Sequence, residues 1–124
     1  MASKSASLKY RVNGEDIVVR GVRHLACAKC GEIVLRFSDA RALAQQALEI
    51  YRAKYGLLSE EEIRRMRERL GMTQAQIAAL LRLGKNTISR WESGRNVQTA
   101  SLDLLLRCVR DVPGSRAYLR KQAA

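Results

Sequence analysis

The sequence feature that most constrains the fold is a pair of capping boxes in the second half of the chain. Ser59 is followed at the third position by Glu62, and Thr73 is followed in the same way by Gln76. In a capping box the two side chains satisfy each other's backbone N–H groups, which marks the start of a helix. Gly71 lies between the two boxes and is typical of a helix end. The sequence therefore predicts two short helices that begin at 60 and 74.

Apolar residues recur at three- and four-residue steps through this half, as on the buried face of a helix. The predicted inward residues are Ile63, Met66, Leu70, Ile77, Leu80, Leu81, Ile88 and Trp91. The arginines between 64 and 69 are expected to face mostly away from this core. Ser101 is predicted to cap a further helix that buries Leu102, Leu105, Leu106, Cys108 and Val109. Pro113 is expected to start a last short helix that contains Tyr118 and Leu119. Ser93-Gly94 is expected to end the helix that precedes the one capped by Ser101.

Segments 74–81 and 85–92 have the length and spacing of a helix-turn-helix. Ala78 is small where the two helices must approach closely, while Ile88 and Trp91 would anchor the second helix to the core. The opposite face of that helix would then point outward, with donors and amides suited to base edges and phosphates. The predicted DNA-binding residues are Gln74, Lys85, Asn86, Thr87, Ser89, Arg90 and Arg95. Among them, Asn86 and Arg90 are the predicted base readers, and Gln74 is expected to meet a phosphate at a helix start.

The first half of the chain has a different pattern, which predicts strands followed by one helix. Asn13-Gly14, between β-branched and apolar residues, is a strong hairpin signal over 8–23. A short final strand is expected at 33–35, and Ser38 is predicted to cap a helix that ends near Gly56, with Ile50 among its apolar positions. The fold class is therefore α+β: a small β-rich knuckle domain with one helix over 1–57, then an all-α helix-turn-helix domain of about five helices over 58–124.

A single CxxC motif, Cys27 and Cys30, has the spacing of a zinc knuckle. Zinc takes four ligands, and no second CxxC is present, so the metal assignment to Cys27 and Cys30 stays open. His24 is more typical of a packed or surface histidine than of a ligand. A thioredoxin-like redox motif is not indicated, because no βαβ unit surrounds the pair. One hypothesis is that two chains pool their Cys27 and Cys30 pairs into one four-cysteine zinc site.

Charge narrows the choice of partner. Lys and Arg number 23 against 12 Asp and Glu, a formal net charge of +11, which divides into +5 before and +6 after Gly56. Such an excess favours a polyanion, with nucleic acid as the first candidate and an acidic protein or an anionic membrane face as alternatives. No apolar run approaches the roughly 20 residues of a membrane span, and no secretory leader is indicated. A single His and no obvious catalytic pairing argue against an enzyme, and we expect a cytoplasmic, nucleoid-associated protein.

At two levels the chain resembles known proteins. The Thr73-Gln74 pair and the string Ile88-Ser89-Arg90-Trp91-Glu92-Ser93-Gly94 resemble the Cro/repressor-type (XRE) helix-turn-helix domain, except that Arg82 stands where many such domains have Gly. The whole order, from about Lys9 to Asp111, resembles the MqsA family of antitoxins, which join a YgiT-type zinc-binding domain to an XRE domain.

The family resemblance implies a function for each half. It implies that the N-terminal half binds an RNase toxin and zinc, and that the C-terminal half forms a homodimer on a palindromic operator. It also aligns the family's base-reading asparagine and arginine with Asn86 and Arg90. This chain departs from the family in one respect, because residues 1–10 contain no cysteine and the first CxxC is missing. Two functions follow as hypotheses: an antitoxin that represses its own toxin–antitoxin operon, or a stand-alone transcriptional regulator from a phage or mobile element.

Overall fold

The computed structural model describes residues 2–123, which form two compact units, one ending at Lys54 and the other beginning at Tyr55. The N-terminal unit contains three strands and one helix: β1 (Ala2–Val12), β2 (Glu15–Ala26), β3 (Ile33–Val34) and α1 (Phe37–Tyr55). The C-terminal unit is helical: α2 (Glu60–Arg69), α3 (Gln74–Leu80), α4 (Thr87–Glu92), α5 (Ala100–Asp111) and α6 (Ser115–Ala123). The α+β prediction, with five helices in the second half, is confirmed.

The N-terminal sheet is antiparallel in the order β1-β2-β3. Asn13 and Gly14 both have positive φ, 49° and 82°, and join paired residues Val12 and Glu15. Positive φ at both central residues is what a type I′ hairpin turn requires, so the predicted hairpin is confirmed. The strands are longer than predicted, because β2 continues without a break to Ala26.

A β-bulge explains how β2 passes through Gly21 without a break. Ala6 pairs with Val22 and Leu8 with Val19, so two residues of β2 lie opposite one residue of β1. Gly21 has φ +68° there, a backbone conformation that glycine adopts at little cost. The extra residue shifts the alternation, and as a result Ile17, Val19, Val22 and His24 are all buried.

Helix α1 adds four buried residues to the N-terminal unit, Leu43, Ala47, Leu48 and Tyr51, and Val12 at the end of β1 is buried as well. Two details of the prediction are wrong here. Ser38 is the second residue of α1 and not its cap, because the carbonyl of Arg36 already accepts the N–H of Ala40 at 2.9 Å. Ile50 is 42% exposed, since the buried face of the helix passes through Ala47 and Tyr51 instead.

The C-terminal unit has the predicted core, and both predicted capping boxes are present. The buried cluster contains Leu58, Ile63, Met66, Met72, Ile77, Ala78, Leu80, Leu81, Ile88, Trp91, Leu106 and Val109. Gly71 ends α2 with φ +66°, as expected.

Helix α5 differs from the prediction at two residues. Thr99 is its cap, with a hydroxyl that accepts the Leu102 N–H at 3.3 Å, and Ser101 lies inside the helix. Cys108 is exposed, not buried, because the inward face of α5 passes through Asp103, Leu106 and Val109.

A clamp of polar side chains holds the segment that precedes α2. The buried Asp103 carboxylate accepts the Leu58 N–H at 2.8 Å, and the Gln98 amide donates to the Leu58 carbonyl at 2.9 Å. Arg107 donates to Asp103 at 2.7 Å and to the Gly56 carbonyl at 2.7 Å. The backbone of 56–58 is therefore fixed to α5 and to the loop before it.

Candidate nucleic-acid interface and cysteine knuckle

Helix α4 has two sharply different faces. Ile88 and Trp91 are 0% and 2% exposed and join the core of the unit. Ser89 and Arg90, on the other side, are exposed, as is Asn86 at the helix start. A six-residue helix has little stability of its own, so its buried face must hold it in place. The polar face is thereby presented to solvent on a rigid support.

The turn before α4 has the geometry of a Schellman motif, which fixes where the exposed face begins. The Leu83 N–H donates to the Ala78 carbonyl at 2.8 Å, and the Arg82 N–H donates to the Ala79 carbonyl at 3.2 Å. Arg82 has φ +57°, the left-handed conformation anticipated for a residue where related domains have Gly. Its guanidinium also donates to the Gln122 carbonyl of α6.

Asn86 occupies the N-cap position of α4, but its side chain does not cap the helix. Asparagine is among the best capping residues, and here its amide is left exposed instead. The helix was predicted to begin at Lys85; it begins at Thr87, so Lys85 and Asn86 lie in the turn before it. An amide in this position can donate and accept at once, as reading an adenine edge requires.

The other residues predicted to contact DNA differ in their exposure and in their hydrogen bonds. Lys85 and Arg95 are exposed, and Thr87 is partly buried. Arg95 follows the end of α4, where its N–H donates to the Arg90 carbonyl at 3.0 Å. Gln74 begins α3 as predicted, but its side-chain amide donates to Glu92 at 3.2 Å.

Glu92 is a buried carboxylate, 2% exposed in its side chain, that connects three helices. Arg67 of α2 donates to both of its oxygens, at 2.8 and 3.0 Å, and Gln74 of α3 donates to one of them. Arg64 adds a further contact at 3.5 Å. This network ties the end of α4 to α2 and to the first residue of α3, which fixes the angle at which α4 is displayed.

The charge state of Glu92 follows from these partners. Burial on its own would raise the pKa of the carboxyl, but hydrogen bonds from Arg67 and Gln74 and the charges of Arg67 and Arg64 outweigh it. The pKa of Glu92 is therefore lowered, and the group is ionised at neutral pH.

The cysteine knuckle lies between β2 and β3. The Cys27 N–H donates to the Glu32 carbonyl, and the Gly31 N–H donates to the Cys27 carbonyl, both at 2.9 Å. Backbone N–H groups of Cys30 and Lys29, together with the Cys30 thiol, lower the pKa of the Cys27 thiol. A lowered pKa favours the thiolate, which is the form of cysteine that binds metals.

His24 and Cys108 do not complete a metal site with the pair. His24 is buried, with Nδ1 3.3 Å from the Val22 carbonyl, and Cys108 belongs to the other unit. Between residues 2 and 123, no group of three or more His, Cys, Asp or Glu side chains is placed to hold a metal. One chain therefore offers two of the four ligands that zinc takes.

The chain is similar to known proteins along most of its length. The sequence model of a family described as the antitoxin component of a bacterial toxin–antitoxin system, MqsA, matches residues 1–119. The chain belongs to the MqsA antitoxin family. It is also 28% identical over 109 residues to the Antitoxin MqsA of Escherichia coli (strain K12), covering 86% of this chain and 82% of that protein. Membership of the MqsA family identifies the chain as the antitoxin of a toxin–antitoxin pair and implies a toxin partner.

In this member of the MqsA family, the residues that support α4 are not evident from the sequence pattern. The sequence pattern predicts that Arg67, like the neighbouring arginines, faces away from the core. Its side chain is only 15% exposed, however. The spacing of Glu92 could have indicated its burial, because it follows buried Ile88 by four residues on the same helix face. Across the described chain, 2–123, no helix is both long and apolar enough to cross a bilayer.

Proposed function

We propose that the chain is a sequence-specific repressor that binds double-stranded DNA and regulates its own toxin–antitoxin operon. One observation supports this most strongly: α4 is fixed by Ile88 and Trp91, while Asn86, Ser89 and Arg90 remain exposed on its other side. A helix held in this way fits the major groove, where base edges present distinct donors and acceptors. Such a protein would act in the cytoplasm, on the nucleoid.

The proposed contacts divide by chemistry. Asn86 pairs with an adenine edge and Arg90 with a guanine edge, each worth about 1–3 kcal/mol of discrimination. Lys85, Thr87, Ser89 and Arg95 contact phosphates or neighbouring base edges and set the register on the duplex. Gln74 lies where it can reach a phosphate, although its amide donates to Glu92 in the free protein.

A homodimer on a palindromic operator completes the proposal, since two-fold symmetry in the protein matches two half-sites in the DNA. The C-terminal helices are the proposed contact surface. Leu104, Val112 and Tyr118 are 64%, 52% and 63% exposed, and a mostly apolar groove of about 430 Å³ includes Leu105 and Leu119. Exposed apolar surface of this kind is typical of an interface between chains. Leu106 of α5 is not part of this surface, because it is 0% exposed and belongs to the core.

The decisive experiment compares binding to the chain's own upstream DNA and to random duplex. In the double variant Asn86→Ala, Arg90→Ala, we expect preference for the upstream DNA to disappear while weak binding to random duplex remains. Arg120→Ala with Gln122→Ala is the matched control, because it removes one arginine and one amide from the exposed surface of α6. Unchanged sequence preference in the Asn86, Arg90 variant would refute the assignment of the reading helix.

The toxin is proposed to bind the N-terminal unit. The adjacent reading frame should then encode a small toxic protein that co-purifies with the full chain. Capture should survive the Asn86→Ala, Arg90→Ala change, because those residues lie in the C-terminal unit. If neither neighbouring frame encodes a toxic protein, the stand-alone regulator is favoured instead.

A further inference from the structure

A groove of about 320 Å³ lies in the C-terminal unit where α5 passes into α6. Its walls are the end of α5, the turn that follows and the first half of α6. Three arginines line this arginine groove: Arg110, Arg116 and Arg120. Asp111 is the one acid among the described residues around it, so these four side chains leave a net charge of +2. The groove therefore has the size of a small-molecule site and an excess of positive charge.

Two of the three guanidinium groups are held in place by the protein itself. Arg110 donates through Nε and Nη2 to the two oxygens of Asp111, at 2.8 and 2.9 Å. Arg116 donates through Nη1 to the Leu70 carbonyl at 3.3 Å. Nη1 of Arg110 and Nη2 of Arg116 have no acceptor within the described part of the chain. Because both groups are already oriented, an anion that accepts from them would lose little affinity to side-chain ordering.

The charges on this side of α6 repel one another. Arg116 lies in the first turn of α6, where the helix dipole disfavours a cation, and that turn contains no acidic residue. Arg120 follows Arg116 by four residues, and like charges at that spacing on a helix are destabilising. Both oxygens of Asp111 already accept from Arg110, so Asp111 does not offset the other two arginines. An anion bound in the arginine groove would relieve this repulsion.

The arginine groove is separate from the surface that displays α4. Arg67 of α2 donates to Glu92 at the end of α4. Arg69, two residues later, lies on the opposite flank of α2, where it lines an adjoining groove of about 330 Å³ together with Arg110. Contact between α4 and DNA therefore does not explain why arginines are grouped at this corner of the unit.

We propose that the arginine groove binds a small phosphorylated molecule, with phosphate oxygens that accept hydrogen bonds from Arg110, Arg116 and Arg120. A guanidinium presents pairs of N–H donors in one plane that match phosphate oxygens, and hydrogen bonds between two charged groups are among the strongest. A ligand with two phosphate groups carries enough negative charge to offset the net +2 of the groove. The site is additional to DNA reading and does not depend on it.

The test is a titration of the full chain with sodium pyrophosphate, followed by NMR of the backbone amides at an ionic strength held constant with sodium chloride. We expect saturable shifts at the end of α5 and the start of α6, and none in α4. Arg120→Gln should weaken binding about tenfold or more, because one charge-assisted hydrogen bond is lost. Lys121→Gln is the matched control: it removes a neighbouring cation of α6 that does not line the groove, so binding should be unchanged.

Two outcomes would overturn the proposal: no saturable shifts in the unaltered chain, or equal affinity of pyrophosphate for the Arg120→Gln and Lys121→Gln variants. A short random duplex is the second titrant. If it shifts the same α6 amides, the groove holds DNA phosphates and the small ligand is the wrong assignment. Arg120 is exposed, so its replacement should not disturb folding, which the circular dichroism spectrum checks. DNA preference is measured separately through Asn86 and Arg90, so failure of this site does not count against the repressor.

Discussion

A single carboxylate organises the candidate DNA-reading surface. Glu92 is buried at the end of α4 and accepts hydrogen bonds from Arg67 of α2 and Gln74 of α3. A buried ion pair is not in itself evidence of high stability, since burying two charges is costly. The role of the Glu92 ion pair is geometric, because it fixes α4 relative to α2 and α3. Removing Arg67 would leave the buried Glu92 carboxylate with Gln74 and with Arg64, whose contact is longer at 3.5 Å.

We expect Arg67→Gln to destabilise the C-terminal unit by about 3–5 kcal/mol, the usual cost of breaking a buried ion pair from one side. Urea unfolding followed by the fluorescence of Trp91, the single tryptophan, measures the loss. Arg65→Gln is the matched control: its pair with Glu61 is exposed, so the cost should stay below about 1 kcal/mol. Equal effects of the two changes would show that the Glu92 network does not support the fold.

Acid should destabilise the same unit. Burial would raise the pKa values of Glu92 and Asp103, but hydrogen bonds and nearby arginines outweigh it and lower both. Carboxyls with lowered folded pKa values stabilise the protein above their unfolded values, about 4.3 and 3.9. That contribution is lost as the pH falls through the folded pKa values.

The free energy of unfolding, measured through Trp91, should therefore fall as the pH decreases below about 5. A Glu92→Gln variant should show a shallower decline, since one of the carboxyls with a lowered pKa is gone. A decline of the same steepness in the variant would contradict this role for Glu92.

Helix ends show which local features the sequence can predict. Gly71 and Arg82 each occupy the left-handed position of a Schellman motif, with φ +66° and +57°. The helix end at Gly71 could be predicted from the residue type alone. The left-handed backbone at Arg82 could be predicted only by comparison with related domains that have Gly there. Ser38 and Ser101 look like caps, but Arg36 and Thr99 occupy the cap positions of those helices, each two residues earlier. A preferred capping residue inside a helix cannot be told from a true cap by type alone.

The bulge in β2 yields a prediction at the level of the strand. Gly21→Val should destabilise the N-terminal unit by about 1–2 kcal/mol or more, since a branched side chain disfavours φ +68°. Nothing lies within 4 Å of the added Cβ, so the cost is conformational and not steric. Amide hydrogen exchange in β1 and β2 measures it.

Arg20→Val is the control for the bulge, because it places the same side chain on the adjacent exposed residue. It should leave exchange nearly unchanged. If both variants exchange equally fast, the left-handed backbone at Gly21 is not what the strand depends on.

At the scale of the whole molecule, the +11 charge predicts strongly salt-dependent binding. If six to ten phosphates are neutralised, affinity for duplex DNA should fall by roughly 10³–10⁵ between 50 and 200 mM salt. Lys85→Gln should reduce the slope of log affinity against log salt by about 0.9, the value of one phosphate contact. Lys121→Gln, an exposed lysine on α6, serves as the control and should leave the slope unchanged. An affinity that does not vary with salt would contradict a polyanionic partner.

The fold class and the position of α4 could be predicted from sequence because both depend on short-range signals. Capping boxes, the Asn13-Gly14 turn and the spacing of Ile88 and Trp91 all act within a few residues. Arg67 and Glu92 could not be paired in this way, because they are 25 residues apart and meet only in the folded core. The predicted burial of Cys108 was wrong because it rested on its apolar neighbours Leu105, Leu106 and Val109, whereas its own position lies off the buried face of the helix.

The clamp on residues 56–58 determines where the chain can be divided. A C-terminal fragment that starts at Tyr55 retains the Leu58 N–H and the Gly56 carbonyl, the backbone partners of Asp103 and Arg107. A fragment that starts at Ser59 would leave the Asp103 carboxylate buried with fewer donors, and Gln98 would lose its carbonyl acceptor. Protease cleavage just before the clamp would therefore release an intact C-terminal unit, whereas removal of three or four more residues would begin to unfold it.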